Sequence, residues 1–187
     1  SERVPGALER ASDAEPYVII DPTCGSGSLL IERALLDELE PPRDGRGRCY
    51  VGLDISEVAL KASERNRAGL AEGSPLLAER VSFEQRDSRR PEGWRAFDEA
   101  LMNLPFGLRV TGERGRRADK GELDDLYFQL FRQARAHAKE GATLTCYSTQ
   151  RSLVERASGA MGWQVSSQRH LYAGGLKVYL WTLERRS

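Results

Sequence analysis

Histidine and cysteine are scarce in this chain, with two of the first and three of the second among 187 residues. Cys24, Cys49 and Cys146 stand 25 and 97 residues apart, so no CxxC pair exists for zinc or redox chemistry. The odd trio reads as reduced, buried small residues, and we expect no metal site. No stretch approaches the ~18 consecutive apolar residues of a membrane span, and the N-terminus lacks the apolar centre of a signal peptide. A cytoplasmic protein without a membrane partner is expected. Net charge is missing as well: 28 basic residues face 28 acidic ones. That balance excludes a protein that grips nucleic acid by bulk electrostatics, so any polyanion must meet a local patch. What is present is the material of one domain, 40% hydrophobic, long enough to bury about 70% of its unfolded surface without disulfides. The first residue is Ser1, which we read as the start of a processed protein or an excised domain.

Hydrophobic periodicity then divides the chain. Tyr17 to Ile20 is an apolar strand ending at Asp21-Pro22, and the Gly-rich run Thr23 to Ser28 leads into a helix carrying Leu30, Ile31, Ala34 and Leu35. Cys49 to Leu53 predicts a second buried strand, with Ser56 capping a helix to about Leu70. Val81 to Gln85 and Phe97 to Met102 predict two more strands, ending at Arg86-Asp87 and at Asn103-Leu104-Pro105-Phe106. An Arg- and Gly-rich loop from Leu108 to Gly121 precedes a helix over about Glu122 to Lys139, which Gly141 stops before the strand Thr143 to Tyr147. A last helix, Ser152 to Met161, leads to a hairpin of Trp163 to Leu171 and Lys177 to Leu183. Alternating βα units closed by a hairpin imply an α/β fold, a doubly wound, mostly parallel, seven-stranded sheet of Rossmann-like type with a C-terminal antiparallel hairpin. We place its domain at 17–187, with 1–16 as an N-terminal extension. Asp21, Asp54, Asp87 and Asn103 all fall at strand C-termini, the edge where such sheets bind ligands.

Gly25 and Gly27 permit a tight turn and a close backbone approach, though a plain βα turn would use them too. Asp54 ends strand two, where a carboxylate can accept from both hydroxyls of a ribose. Asp87 can accept from the exocyclic amine of adenine or serve as a turn residue. A nicotinamide dinucleotide fold shares the glycines and Asp54, yet its third glycine position is Leu30 here, and it leaves Asn103 to Phe106 without a role. The Asn103 side-chain carbonyl and the Leu104 backbone carbonyl can both accept from one exocyclic NH2 of a planar substrate. Pro105 restrains Leu104, and Phe106 offers a stacking face. The bland alternative is a proline turn with Phe106 in the core.

These motifs carry a resemblance. Asp21-Pro22-Thr23-Cys24-Gly25-Ser26-Gly27-Ser28 resembles motif I of the class I S-adenosylmethionine-dependent methyltransferases, in the form found in enzymes that modify amino groups of nucleic acids. Asn103-Leu104-Pro105-Phe106 resembles their motif IV, with Leu104 in place of the first proline. The variant is similar to that of the guanine-N2 RNA methyltransferases that carry a THUMP domain, and Gly52 to Asp54, Arg86-Asp87 and the hairpin with Gly174-Gly175-Leu176 fit the same family. The resemblance implies S-adenosylmethionine as cofactor, held by Asp21, Pro22, Cys24, Gly25, Gly27, Asp54, Ile55, Asp87, Ser88 and Asn103. It implies catalysis at Asn103, Leu104, Pro105 and Phe106 on an RNA amine, guanine N2 of tRNA foremost. Adenine N6 of DNA or RNA, a protein glutamine, or a cofactor-binding module without activity are the alternatives it leaves. With 16 residues before the first strand, it also implies an RNA-binding domain that is separate or removed.

No strong base is required for such a transfer, and neither His137 nor His170 is placed for one. A flipped or unpaired base would stack on Phe106. Two segments bring positive charge to the predicted edge: Leu104 to Gly121, net +3, and Arg86 to Arg95, net +2. Arg109, Arg116 and Arg117 are the candidate phosphate contacts, against the reading of an ordinary solvated surface.

Overall fold

Strand β1 (Tyr17–Asp21) is an apolar pentapeptide buried along nearly its whole length, and that burial centres the sheet on it. The computed structural model describes residues 15–105, 120–173 and 175–185. Helix α1 (Ser28–Leu39) returns the chain to β2 (Arg48–Asp54), parallel to β1. Ser56 caps α2 (Glu57–Gly73), its hydroxyl accepting from the Ala59 N–H at 3.3 Å. Pro75 opens a short helix α3 (Pro75–Ala78), which the sequence reading does not foresee, before β3 (Val81–Gln85) and β4 (Phe97–Asn103). Helix α4 (Lys120–His137), β5 (Ala138–Ser148), α5 (Arg151–Ala160) and the hairpin β6 (Trp163–Ala173) and β7 (Leu176–Arg185) complete the described chain.

The seven strands lie in the order β3-β2-β1-β4-β5-β7-β6, parallel except for β7. The expected doubly wound sheet with its antiparallel hairpin is therefore present. Alternation along the strands feeds two cores. Ile19, Tyr50 and Leu101 join Leu30 and Ala34 of α1 and Leu77 of α3 on one face. Val18, Ile20, Ala100, Met102 and Leu104 join Tyr127 and Phe131 of α4 and Val154 of α5 on the other. Each fully buried Leu, Ile or Phe contributes about 1.5–3 kcal/mol relative to exposure. Because the chain winds outward in both directions from β1 and β4, their C-terminal ends form the switch point where a ligand cleft opens.

Most element ends shift from the sequence reading by one to three residues, and the largest difference lies between α4 and β5. Helix α4 ends at His137 rather than near Lys139, and β5 starts at Ala138 rather than Thr143. Ala138 pairs with Phe97, and the register then shifts so that Glu99 meets Thr143. Gly141, at φ 72°, takes up the surplus, and the Lys139 ammonium bonds Asp98 at 3.1 Å. The glycine that reads as a helix stop is instead the pivot of a bulged strand. Among the described residues no helix is long and apolar enough to cross a membrane.

Candidate functional site

Asp21 closes β1 at 1% exposure, and its carboxylate accepts from the Thr23 N–H at 2.9 Å, which starts the turn. Burial pushes its pKa up to about 7, against the opposing effect of the Thr23 hydrogen bonds. The loop is pinned from β2. Cys24 N–H donates to the Leu53 carbonyl at 3.0 Å, and Gly25 N–H to the Asp54 carboxylate at 2.9 Å. Gly25 and Gly27 sit at φ 55° and 75°, the left-handed region that favours glycine. A Cβ on Gly27 would meet the Phe83 ring at 2.4 Å, whereas one on Gly25 would meet nothing within 4 Å. The two glycines thus do different jobs: one admits packing, the other leaves space.

Asp54 also accepts from the Ser56 N–H at 2.8 Å, and the Gln85 side chain donates to the Ile55 carbonyl at 3.1 Å. After β3 the chain is held by Trp94, whose indole N–H donates to the Ser88 carbonyl at 3.0 Å, and by Gln133 of α4, which donates to the Arg89 carbonyl at 3.0 Å. Those anchors fix Asp87 and Ser88 beside Asp54. Arg89 grips both Asp87 oxygens, at 2.8 and 2.7 Å, and its guanidinium holds the Asp87 carboxyl below the usual range.

At the end of β4, Asn103, Leu104 and Pro105 are held at three backbone points. The Asn103 carbonyl lies 3.4 Å from the Thr23 hydroxyl, the Leu104 N–H donates to the Tyr147 carbonyl at 3.2 Å, and the Pro105 carbonyl accepts from the Tyr127 hydroxyl at 2.9 Å. Tyr127 is fully buried and stands 2.7 Å from the Ser148 Oγ, which accepts from the Gln150 N–H at 3.0 Å. One proton per hydroxyl sets the direction: Tyr127 gives its proton to Pro105, so Ser148 donates to Tyr127. The Asn103 side-chain amide and the Leu104 carbonyl are left without a hydrogen-bond partner among the described residues.

These elements enclose a cavity of about 370 Å³ lined by Pro22, Thr23, Asp54, Ile55, Arg86, Asp87, Ser88, Arg89, Asn103 and Pro105, with Glu122, Asp125, Leu126 and Leu130 of α4 as the far wall. Its size suits a small organic ligand. The Ser88 Oγ is buried on its wall with no partner among the described residues, an orphan that a ligand's polar edge would satisfy. Four carboxylates face two guanidiniums here, and Arg89 is bound to Asp87 while Arg86 lies 3.5 Å from Glu84. A pyrophosphate would be repelled from such a wall and a ligand bearing positive charge attracted. A cleft of about 740 Å³ lies at the opposite strand ends, beside Pro16, Arg46, Arg48 and Tyr50. Arg46 and Arg48 there are already paired with Asp98 and Asp44.

The profile of the RMKL-like methyltransferase domain matches residues 3–179. The chain belongs to this family. Its methyltransferase domain is 25% identical over 176 residues to a tRNA (guanine(6)-N2)-methyltransferase of Archaeoglobus fulgidus, covering 84% of the chain and 41% of that protein. TrmN from Thermus thermophilus superposes with a TM-score of 0.71 at 25% identity, over 93% of this chain and 46% of that one. Magnesium protoporphyrin IX methyltransferase from Synechocystis, crystallised with bound SAM, shares the fold at a TM-score of 0.61 and 16% identity, over 91% of this chain and 71% of that one. The chain therefore spans less than half the length of the first two relatives.

Of the residues expected in the site of this methyltransferase domain, Pro22, Asp54, Ile55, Asp87, Ser88, Asn103 and Pro105 line the cavity. Asp21, Gly25 and Gly27 shape the loop behind it. Cys24 is not brought to the cavity: its side chain packs in the core, beside Gly52 and on the strand side of the turn. The Leu104 side chain is likewise in the core, leaving only its backbone to face a ligand. Phe106, Arg109, Arg116 and Arg117 lie outside the described residues. Sequence reasoning gave no individual site role to Thr23, Arg89, Tyr127, Ser148 or the α4 wall. Thr23 and Arg89 each stand two residues after a carboxylate, a local signal; Tyr127, Ser148 and the α4 wall come from elements distant in sequence.

Proposed function

We propose that this domain transfers a methyl group from S-adenosylmethionine to an exocyclic amine of a base in RNA, guanine N2 of tRNA foremost, in the cytoplasm. The observation that carries this reading is the three-point anchorage of Asn103 to Pro105, which leaves the Asn103 amide and the Leu104 carbonyl unengaged among the described residues, beside a cavity lined by Asp54 and Asp87. The orphaned Ser88 Oγ, the acid-rich wall and the open space at Gly25 fit a cationic adenosine-bearing cofactor. Asp54 would hold its ribose, Ser88 and Asp87 its adenine, and the loop at Gly25 its methionine end. When bound, the cofactor supplies an electrophilic methyl on a sulfonium whose thioether leaves readily.

The chain's own residues supply orientation. Asn103 and the Leu104 carbonyl would accept from the two amine hydrogens, aim the nitrogen lone pair, and stabilise the positive charge that develops on nitrogen. Holding two reactants in this way can contribute about 7–11 kcal/mol. The extra proton then passes to solvent without a dedicated base. The activity named for the Archaeoglobus relative and the likeness to TrmN support guanine in tRNA as the substrate. An RNA-binding domain beyond this chain belongs to the same proposal.

Nucleoside mass spectrometry after incubation with unmodified tRNA and S-adenosylmethionine tests it. N2-methylguanosine is the expected product. N6-methyladenosine alone would overturn the base assignment, and no methylated nucleoside despite cofactor binding would overturn the activity.

A further inference from the structure

The β6–β7 hairpin carries a surface that the catalytic reading does not use. Asn103, Tyr147, Leu180 and Arg169 form one register row across β4, β5, β7 and β6. Beyond this row the next pair is Tyr179 with His170, and two positions further lies Lys177 with Tyr172. At ~3.3 Å per residue, the hairpin tip extends about 10 Å past the Asn103 row, and three strand spacings place it about 14 Å to the side. Tyr179, His170, Lys177 and Tyr172 share one sheet face because they alternate in register with Trp181, which packs in the core beneath α4 and α5. That is the face on which α4 walls the cavity.

The chemistry of this tip is aromatic and cationic together. The His170 ring lies 6.4 Å from Tyr172, edge-on, and 6.3 Å from Tyr179. The Lys177 ammonium sits 5.2 Å and the Arg151 guanidinium 5.5 Å from the Tyr179 ring centroid. Tyr172 is 72% exposed, and among the described residues its one ring contact is with His170. Lys177 forms no ion pair among the described residues, while Arg151 is bound to Glu155 at 2.9 Å. Stacking faces interleaved with cations are what single-stranded nucleic acid requires, since every base has a π-face and every linkage a negative charge.

We propose that this hairpin tip is a stacking platform for the unpaired RNA flanking the target nucleotide, with Tyr172 and His170 stacking bases and Lys177 meeting a phosphate. The proposal rests on the RNA reading above and names the surface that reading lacks. It also suits a chain of zero net charge: the grip comes from stacking plus a single cation rather than from a basic field.

Fluorescence anisotropy with a labelled short single-stranded RNA of mixed sequence, read without cofactor, tests it on the whole 187-residue chain. Tyr172→Ala with His170→Ala should weaken binding about 10- to 100-fold and leave the salt dependence unchanged. Lys177→Ala should reduce the slope of log affinity against log salt by about 0.7. S-adenosylhomocysteine affinity should stay constant in each, showing an intact fold. Binding unchanged in the aromatic variant, as a protein-docking tip would give, or no RNA binding by the parent chain, overturns the platform. Methyl transfer by the parent chain is scored separately, so loss of the platform and loss of the activity are distinguishable.

Discussion

The Tyr127 hydroxyl donates to the Pro105 carbonyl at 2.9 Å and closes a relay that runs back through Ser148 to the start of α5. In the proposed reaction Tyr127 would be a positioning residue: it touches the Asn103 to Pro105 turn from behind, at 0% exposure. Removing its hydroxyl leaves the half-buried Pro105 carbonyl and the buried Ser148 hydroxyl without this partner, at a cost of about 1–3 kcal/mol. Tyr127→Phe is expected to leave S-adenosylhomocysteine affinity within about twofold while kcat falls about tenfold or more, because small misplacements in an alignment-driven transfer are costly. A loss that appeared only in thermal stability would assign Tyr127 a purely structural role.

Asp21 predicts a pH effect. Its carboxyl is pushed up from its ordinary 3.8 to about 7 by burial. Across that window the folded protein holds a proton that the unfolded chain has lost. The stability from this group is present below the unfolded value and declines as pH rises through about 7. Asp21→Asn cannot ionise, so its melting temperature relative to the parent should climb from about pH 4 to pH 7 and level off above. Parallel curves for the two proteins in thermal melts would refute the assignment.

The two loop glycines should separate packing from ligand space. Gly27→Ala forces a Cβ against Phe83 and strains a positive φ, and should destabilise the fold by about 2–4 kcal/mol. Gly25→Ala meets nothing within 4 Å, so its stability cost is about 1 kcal/mol from the backbone alone. Its effect should instead appear as a tenfold or greater loss of S-adenosylhomocysteine affinity by calorimetry. Equal stability losses with cofactor affinity intact would show that the space at Gly25 is not used.

Asp54 and Asn103 should divide binding from transfer. Asp54 accepts from the N–H groups of Gly25 and Ser56, so Asp54→Ala removes both the loop anchor and the expected ribose acceptor, and cofactor binding should be lost. Asn103→Ala should retain that binding and lose methyl transfer by about 10²-fold or more. Normal transfer by the Asn103 variant would reject the assignment of the Asn103 to Pro105 turn.

Gly25, Gly27, Asp54, Asp87 and the Asn103 to Pro105 turn were legible as turn and strand-end residues because each is a local event, a residue type suited to a turn or strand end and followed by its own helix or loop. The alternation of βα units and the closing hairpin were legible for the same reason, since periodicity is a property of neighbours. The end of α4 was misplaced because Gly141 is a helix stop in local terms, and only the pairing of Ala138 with Phe97 shows that it serves a bulge.

What the sequence by itself determined is which residues stand at the strand ends and that their chemistry suits an amine and a ribose. What tertiary structure decided is which of their polar atoms remain free. The buried relay from Ser148 through Tyr127 to Pro105, the burial of Cys24 beside Gly52 and the orphaned Ser88 Oγ depend on residues dozens of positions apart being brought together. Such meetings are set by sheet order and helix packing, and neither is written in any local run of residues.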